Sequence, residues 1–541
     1  MEKIILGATI GDCVHVGGIQ RFLRMAEDEG YATRFLGTAV PDGHLFSTIS
    51  ETHPDMVALS YRLTPSVATA IFRRMSPRIR RLSGSIRFIF GGTPPVAAIA
   101  KKSGLFFRVF DGTESLSDIR AFLAGKNASA KDTVHEHTLE SRIQQKYPYP
   151  LLRHHFGRPT VSETVRGAAR IAQAGVLDVL SVGPDQNAQE HFFHPERMDR
   201  SQDGAGGVPL RTPKDLAAIY RATRAGNFPL VRCYAGTNDL TRWAEMSVSH
   251  LHNAWGAIPL YWYSTLDGRS GRPLAEAIAE NCAVMRWYAE QGIPVEVNES
   301  HQWSLRSASD AVAVAVFYLA AYNAKAAGVR RYVAQFMFNT PGGVSGTMDL
   351  AKMLAKKSLL DELVDDRFSY FIQVRAGLLN FSADANTAKG QMAASAVLSM
   401  AMKPHILHVV GYSEGDHAVT ADELIESCGI AHGVLRNCMD GMPDMTVDRD
   451  VQRRIRELRR DAKTILKAIH ALGGKTSADP FADPVVLSMA VERGILDAPD
   501  LKSNLLARGA ATRIINGACV SYDGKRHCAL SEKNRLAGLK D

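Results

Sequence analysis

The stretch Ile4-Ile5-Leu6-Gly7-Ala8-Thr9-Ile10-Gly11-Asp12-Cys13-Val14-His15-Val16-Gly17-Gly18 decides how the N-terminal part of the chain is read. Its first seven residues carry no charge, as in a parallel strand covered on both faces. Glycines end the run at once, and Ile19, Phe22, Leu23 and Ala26 then recur at helical spacing. The same strand–loop–helix unit repeats outward from there. Strand Ala32–Leu36 precedes helix His44–Thr52, strand Met56–Leu59 precedes helix Ser66–Met75, and strand Ile86–Phe90 stops at Gly91-Gly92. A short strand Arg108–Phe110 leads into helix Leu116–Leu123. This alternation predicts an α/β, Rossmann-like (flavodoxin-like) domain over residues 1–125, with a parallel, doubly wound sheet. Such sheets take ligands outside the carboxyl ends of their strands.

The first loop puts Asp12, His15, Gly17 and Gly18 at that edge. A neutral imidazole can ligate a borderline metal, and a carboxylate on its other nitrogen fixes the tautomer. Glycines let the backbone approach a bulky ligand. Taken alone, a histidine in a glycine-rich turn reads more simply as a capping or surface residue. Three later positions add weight. Ser60 closes the third strand within Ala58-Leu59-Ser60-Tyr61-Arg62-Leu63-Thr64-Pro65, Gly91-Gly92 closes the fourth, and Gly112-Thr113 closes the last. Small or hydroxyl residues at successive strand ends would open a narrow slot for an extended tail.

This pattern resembles the B12-binding domain shared by cobalamin mutases and methionine synthase. The resemblance implies that His15 is the lower axial ligand of the cobalt, with Asp12 as its partner. It also implies that Gly17, Gly18, Ser60, Leu63, Gly91, Gly92, Gly112 and Thr113 surround the cofactor and its nucleotide tail. His15 and Gly18 keep the family spacing, whereas Asp12 stands three residues before His15 where the family has two.

Ala124 to Ser141 is polar and aperiodic, and a linker is expected over 126–147. Beyond it, longer helices alternate with short apolar strands near Phe156–Val161, Val176–Val182, Pro229–Tyr234, Ala257–Tyr263, Val295–Glu299, Tyr332–Phe338, Ser369–Arg375 and Ile406–Val410. Eight such units predict a (β/α)8 TIM barrel over 148–446, with its active site at the strands' carboxyl ends. Residues 447–541, with a charged helix Val451–His470 and a β segment near Cys519–His527, read as an extension packed on the barrel.

A B12 domain followed by a barrel is similar to glutamate mutase, with the family's small and large subunits fused in one chain. The best-matching barrel stretches are Phe156–Glu163, Phe228–Glu245, Val409–Thr420 and Met489–Leu536. The resemblance implies that Arg158 and Arg232 grip a substrate carboxylate and that Glu414 contacts the adenosyl ribose. Gln189 stands where the family has a third substrate arginine, Ala254–Gly256 where it has the acid for the amino group, and Val410 where it has a lysine. The implied activity is an adenosylcobalamin-dependent radical isomerase, a carbon-skeleton mutase acting on a small-molecule carboxylate other than glutamate. Family habit adds a homodimer through the barrel. Glu299 is a candidate acid or base. Tyr234, Tyr261, Tyr263, His301, Gln335 and Arg375 also lie near strand ends, where each reads equally as packing. Two alternatives stay open: a corrinoid methyltransferase using methylcobalamin, and a cobalamin sensor whose barrel lost activity through changes such as Gln189 and Val410.

Other classes find little support. The net charge of +8 is spread along the 541 residues, apart from clusters such as Arg453–Arg460, and predicts no nucleic-acid groove. Cys13, Cys233, Cys282, Cys428, Cys438, Cys519 and Cys528 form no CxxC pair, which fits reduced thiols in a cytoplasmic protein. The N-terminal apolar run is too short for a signal peptide, no later stretch reaches a membrane span, and no membrane association is expected. His191 and His194 lack an evident third metal ligand.

Overall fold

The computed structural model describes residues 3–114, 116–124 and 136–539. The chain divides into two compact units, Met1–Val134 and His135–Asp541. In the first, β1 (Ile4–Thr9), β2 (Ala32–Phe35), β3 (Met56–Ser60), β4 (Arg87–Gly91) and β5 (Arg108–Phe110) form one parallel sheet in the order β2-β1-β3-β4-β5. The period of two is plain in its core. Leu6, Ala8, Val57 and Leu59 pack on one face, and Ile5, Met56, Ala58 and Ile89 on the other. The strand order reverses between β1 and β3, and a ligand crevice opens at such a switch point.

In the second unit, β6 (Leu151–Phe156), β7 (Val179–Val182), β8 (Leu230–Cys233), β9 (Gly256–Ile258), β10 (Val295–Val297), β11 (Arg331–Phe338), β12 (Ser369–Ala376) and β13 (Ile406–His408) form an eight-stranded parallel sheet, ordered β8-β7-β6-β13-β12-β11-β10-β9. Its two end strands are bridged by Ala254 N–H to the Val231 carbonyl at 2.9 Å and Ala235 N–H to the Ala257 carbonyl at 3.3 Å. The result is a nearly closed barrel.

The described elements differ from the sequence expectations in three places. The first barrel strand is not Phe156–Val161 but Leu151–Phe156. Pro159 and the Thr160 hydroxyl, which accepts from Glu163 N–H, start helix Val161–Ala174 instead. Residues 126–135 of the expected linker lie outside the described residues, and 139–146 within it are the helix Leu139–Lys146. That helix is anchored by its buried Arg142, which donates to the carbonyls of Glu136, Asn227 and Phe228. A strand over Ala257–Tyr263 also proves shorter, because the N–H groups of Leu260 and Tyr261 turn to the Glu299 carboxylate.

A long helix makes much of the extension's contact with the barrel. Arg449–Gly473 buries Leu458, Ala462, Ile465 and Ile469 in the core that also holds helices Asp310–Ala326 and Gly346–Asp361. Buried Asp310 stitches the parts together, accepting from Arg454 Nη2 and from Cys519 N–H, each at 3.1 Å. Cys519 lies on β15 (Ala518–Asp523), which pairs antiparallel with β14 (Thr512–Ile515). Among the described residues no helix is long and apolar enough to cross a membrane.

Candidate functional site

The loop after β1 turns at Gly11, whose φ of 65° belongs to the left-handed region. A Cβ there would meet Ile71 and the Tyr61 ring, so only glycine makes this turn. The turn leaves His15 exposed, with Nδ1 facing the buried Cys13 Sγ at 3.9 Å. Asp12 faces the Tyr61 hydroxyl, whose pKa is pushed up by burial first and by Asp12 in addition. Among the described residues no hydrogen bond joins Asp12 to His15.

Beside His15 lies a slot of about 360 Å³ between helix Gly17–Asp28 and the carboxyl ends of β3, β4 and β5. Ile19, Phe22, Met25, Ile89 and Phe110 make apolar walls, while Ser60, Gly91, Gly92, Asp111 and Gly112 mark the strand ends. At Gly18 and Gly91 no protein atom lies within 4 Å of where a Cβ would sit. Packing among the described residues therefore does not ask for glycine at either position, and both glycines border the slot. Gly92 differs, since its Cβ would stand 2.7 Å from the Tyr61 carbonyl oxygen. The Asp111 carboxylate is held well below the usual range, chiefly by Lys101 and then by the Thr113 hydroxyl.

The barrel interior is polar. Buried Glu296 on β10 accepts through one oxygen from Arg153 Nη1 at 3.4 Å, Arg232 Nη2 at 3.1 Å and Trp255 Nε1 at 2.6 Å. Burial works to raise its pKa, yet the two guanidiniums hold it below the ordinary range. Arg153 also donates to Ser181 Oγ at 2.7 Å, Gln373 Oε1 at 2.6 Å and His155 Nε2 at 3.0 Å. Arg232 keeps two buried nitrogens, Nε and Nη1, without a partner among the described residues and packs over the Tyr234 ring at 4.4 Å. Nearer the strand ends, Tyr234 hydrogen-bonds His155, and the His155 and His408 rings meet at 4.4 Å. Burial first, then Arg153, drives both imidazoles well below their usual pKa, with Arg375 adding to the effect. Arg375 is half-buried and has no carboxylate partner among the described residues; its Nε approaches only the Ala376 carbonyl, at 3.4 Å. Arg153 and Arg232 thus share one buried carboxylate, and Arg375 adds a charge with none among the described residues, an excess that favours an anionic guest.

Glu299 is buried as well, and its oxygens accept from Leu260 N–H at 2.8 Å, Tyr261 N–H at 3.1 Å and Trp303 Nε1 at 2.6 Å. Burial nonetheless pushes its carboxyl up to about 7. The folded state therefore binds this proton more tightly than the unfolded chain, where it titrates at about 4.3. On this account stability falls as pH rises from about 4 to about 7. Glu299→Gln should abolish that slope, and by turning an NH2 toward the Trp303 N–H it should cost about 1–3 kcal/mol. Urea unfolding at pH 5 and pH 8 measures both.

Comparison with known proteins decides the first unit. Residues 3–119 match the family model of the B12 binding domain. The first unit is a B12-binding domain. No curated protein matches the chain. Among solved structures, a cobalamin-binding protein from Desulfitobacterium hafniense DCB-2 shares 24% identity over 20% of this chain and 52% of that one, with a TM-score of 0.18. The chain thus spans about half the length of that protein. Yersinia pestis DHPS shares 12% identity over 54% of this chain and 94% of that one, with a TM-score of 0.29. The cobalamin-dependent S-adenosylmethionine radical enzyme OxsB shares 10% identity over 90% of this chain and 70% of that one, with a TM-score of 0.18. Superpositions this loose carry no functional information.

Within the B12-binding domain the structure gathers His15, Gly18, Ser60, Gly91, Gly92 and Gly112 around one slot, while Asp12, Gly17, Leu63 and Thr113 are not part of its lining. In the barrel, Arg232 is central. Arg158 donates instead to the Ala418 carbonyl at 2.8 Å, and Gln189 donates to the Pro184 carbonyl at 2.8 Å. Glu414 accepts from Gly411 N–H at 2.7 Å and faces His154 Nε2 at 3.3 Å. Arg153, His155, Glu296 and His408 were missed. The period-two spacing of Arg153 and His155 is the signal that marks them, once β6 is placed correctly.

Proposed function

We propose that this chain is an adenosylcobalamin-dependent radical isomerase, a carbon-skeleton mutase acting on a small carboxylate other than glutamate. The observation that carries the reading is the slot beside exposed His15, with glycines that no described residue of the chain requires, in one polypeptide with a barrel whose buried Arg232 keeps two donors unfilled. The residues fit a corrinoid. His15 would hold the cobalt through Nε2, Ser60 would donate to a polar tail, and the apolar walls would suit a flat aromatic base. Bound adenosylcobalamin would supply a radical able to remove hydrogen from an unactivated carbon. The chain's own part is to hold and shield. Arg232 presents two unfilled donors, Tyr234 and Trp255 flank its guanidinium, and the neutral imidazoles of His155 and His408 offer hydrogen bonds without competing charge. Gln189 in place of an arginine, with no acid at Ala254–Gly256, argues against glutamate itself.

The cob(II)alamin form of the protein labelled with [15N]histidine tests the ligation. A protein nitrogen on cobalt converts the triplet superhyperfine splitting of the EPR signal to a doublet. His15→Ala should remove this change and weaken cobalamin binding about 10–100-fold. A triplet unchanged by the label would place the cofactor's own base on the metal and end the reading. Binding of methylcobalamin but not adenosylcobalamin would replace the mutase with a methyltransferase.

A further inference from the structure

We infer that His301, Gln302 and Arg375 form an oxyanion subsite that receives a carboxylate of the substrate. The inference rests on the proposal that the barrel's carboxyl end is the substrate site, and it names the residues that would read one end of that substrate. His301 and Gln302 open helix Ser300–Leu305 after β10, and Arg375 is the next-to-last residue of β12.

The argument is one of hydrogen-bond polarity. A guanidinium can only donate, so Arg153 Nη1, 2.6 Å from the Gln373 side chain, assigns the amide oxygen of Gln373 as its acceptor. The Gln373 NH2 must then donate to Gln335 Oε1 at 3.2 Å, and the Gln335 NH2 to His301 Nδ1 at 3.0 Å. With Nδ1 accepting, a neutral His301 carries its proton on Nε2. The imidazole is neutral because burial, and after it Arg375, pushes its pKa down to about 3. A second guanidinium settles Gln302 in the same way. Arg306 Nη1 donates to Gln302 Oε1 at 3.1 Å, so the Gln302 NH2 is a donor too.

These two assignments meet. His301 Nε2 and Gln302 Nε2 lie 3.4 Å apart, and each bears hydrogen. Two donors so oriented do not bond each other, and an oxygen acceptor from outside the chain satisfies both. The acceptor is anionic, because Arg375 has no carboxylate partner among the described residues and its charge reaches His301. A carboxylate matches this set: one oxygen for the paired N–H groups, and a charge for the guanidinium.

The full-length protein labelled with [15N]histidine, titrated with propionate and with succinate, tests the inference, with sodium chloride of equal ionic strength as control. One imidazole, absent from the spectrum of His301→Gln, should be a neutral Nε2–H tautomer at pH 5, and its Nε2 signal should move on adding either carboxylate. Gln302→Glu puts a negative acceptor where the carboxylate would sit, and Arg375→Gln removes the charge. Each should raise the apparent Kd at least tenfold. Gln335→Glu should transfer the His301 proton to Nδ1, an effect that loss of packing alone would not produce. A His301 found as the Nδ1–H tautomer overturns the subsite. So does a signal that neither carboxylate moves, or that chloride moves equally. These outcomes are independent of cobalt ligation, so failure here with a normal EPR doublet sinks the subsite alone. A responsive His301 with an unchanged triplet sinks only the cobalamin reading.

Discussion

Glu296→Gln is expected to remove about 3–5 kcal/mol from the stability of the barrel unit, the range seen when one partner of a buried ion pair is deleted. Glu296 is the carboxylate on which both Arg153 and Arg232 converge, and all three side chains are fully buried. Glutamine keeps the shape and still accepts from Trp255, so the loss reports charge rather than a cavity. Two guanidiniums would be left near each other in a desolvated space, and Arg153 is already pushed down to about 9, by burial first and then by Arg232. The pH dependence has a definite sign. The carboxyl of Glu296 lies lower in the folded protein than in the unfolded chain, so its contribution is present above about pH 4.3 and is lost as pH falls through the folded value. Urea unfolding of Glu296→Gln beside Glu414→Gln, whose parent side chain is partly exposed, checks the expectation. A loss no larger at position 296 than at 414 would refute it.

The second large effect separates cofactor binding from folding at neighbouring residues. Gly91→Leu should lower the thermal midpoint less than Gly92→Ala does, because a Cβ at Gly91 meets no described protein atom within 4 Å. Its side chain would project where the slot has its clearance, and cobalamin affinity should fall on the order of 100-fold, about 2.7 kcal/mol. Gly92→Ala should do the reverse. Its Cβ would lie 2.7 Å from the Tyr61 carbonyl oxygen and 2.9 Å from the Phe90 ring, an overpacking that costs about 1–3 kcal/mol. Calorimetric melting and equilibrium binding of cobalamin to both variants give the four numbers. If Gly91→Leu binds cobalamin as the parent does, the slot is not the cofactor's site.

Legibility differed between the units for a physical reason. In the first, the strands are covered on both faces by apolar side chains, and the loops after them carry glycine and serine. Hydrophobic runs and their terminators therefore mark the sheet, and His15 stands out at its edge. In the second, the strands point arginine, histidine, glutamate and glutamine into the barrel. Leu151-Leu152-Arg153-His154-His155-Phe156 does not read as a buried strand until its polar residues are known to satisfy one another. The strand was accordingly expected five residues too late. Glu299 shows a related limit. Its position after β10 suggested acid–base chemistry, but whether a carboxyl is free or holds two backbone N–H groups and an indole depends on a loop some forty positions earlier.

The amino-acid sequence alone determined the α/β class, the Rossmann-like N-terminal domain with its parallel sheet, and the parallel barrel that follows it. These follow from periodicity and from turn chemistry, which act over a few neighbours along the chain. Only the tertiary structure decided that Arg153 and Arg232 share Glu296, that Arg158 is held by backbone carbonyls, and that His301 and Gln302 present two donors to one point. Those facts join groups as far apart as 260 positions. Barrel closure brings such groups within hydrogen-bond reach, and no local pattern encodes which of them will meet.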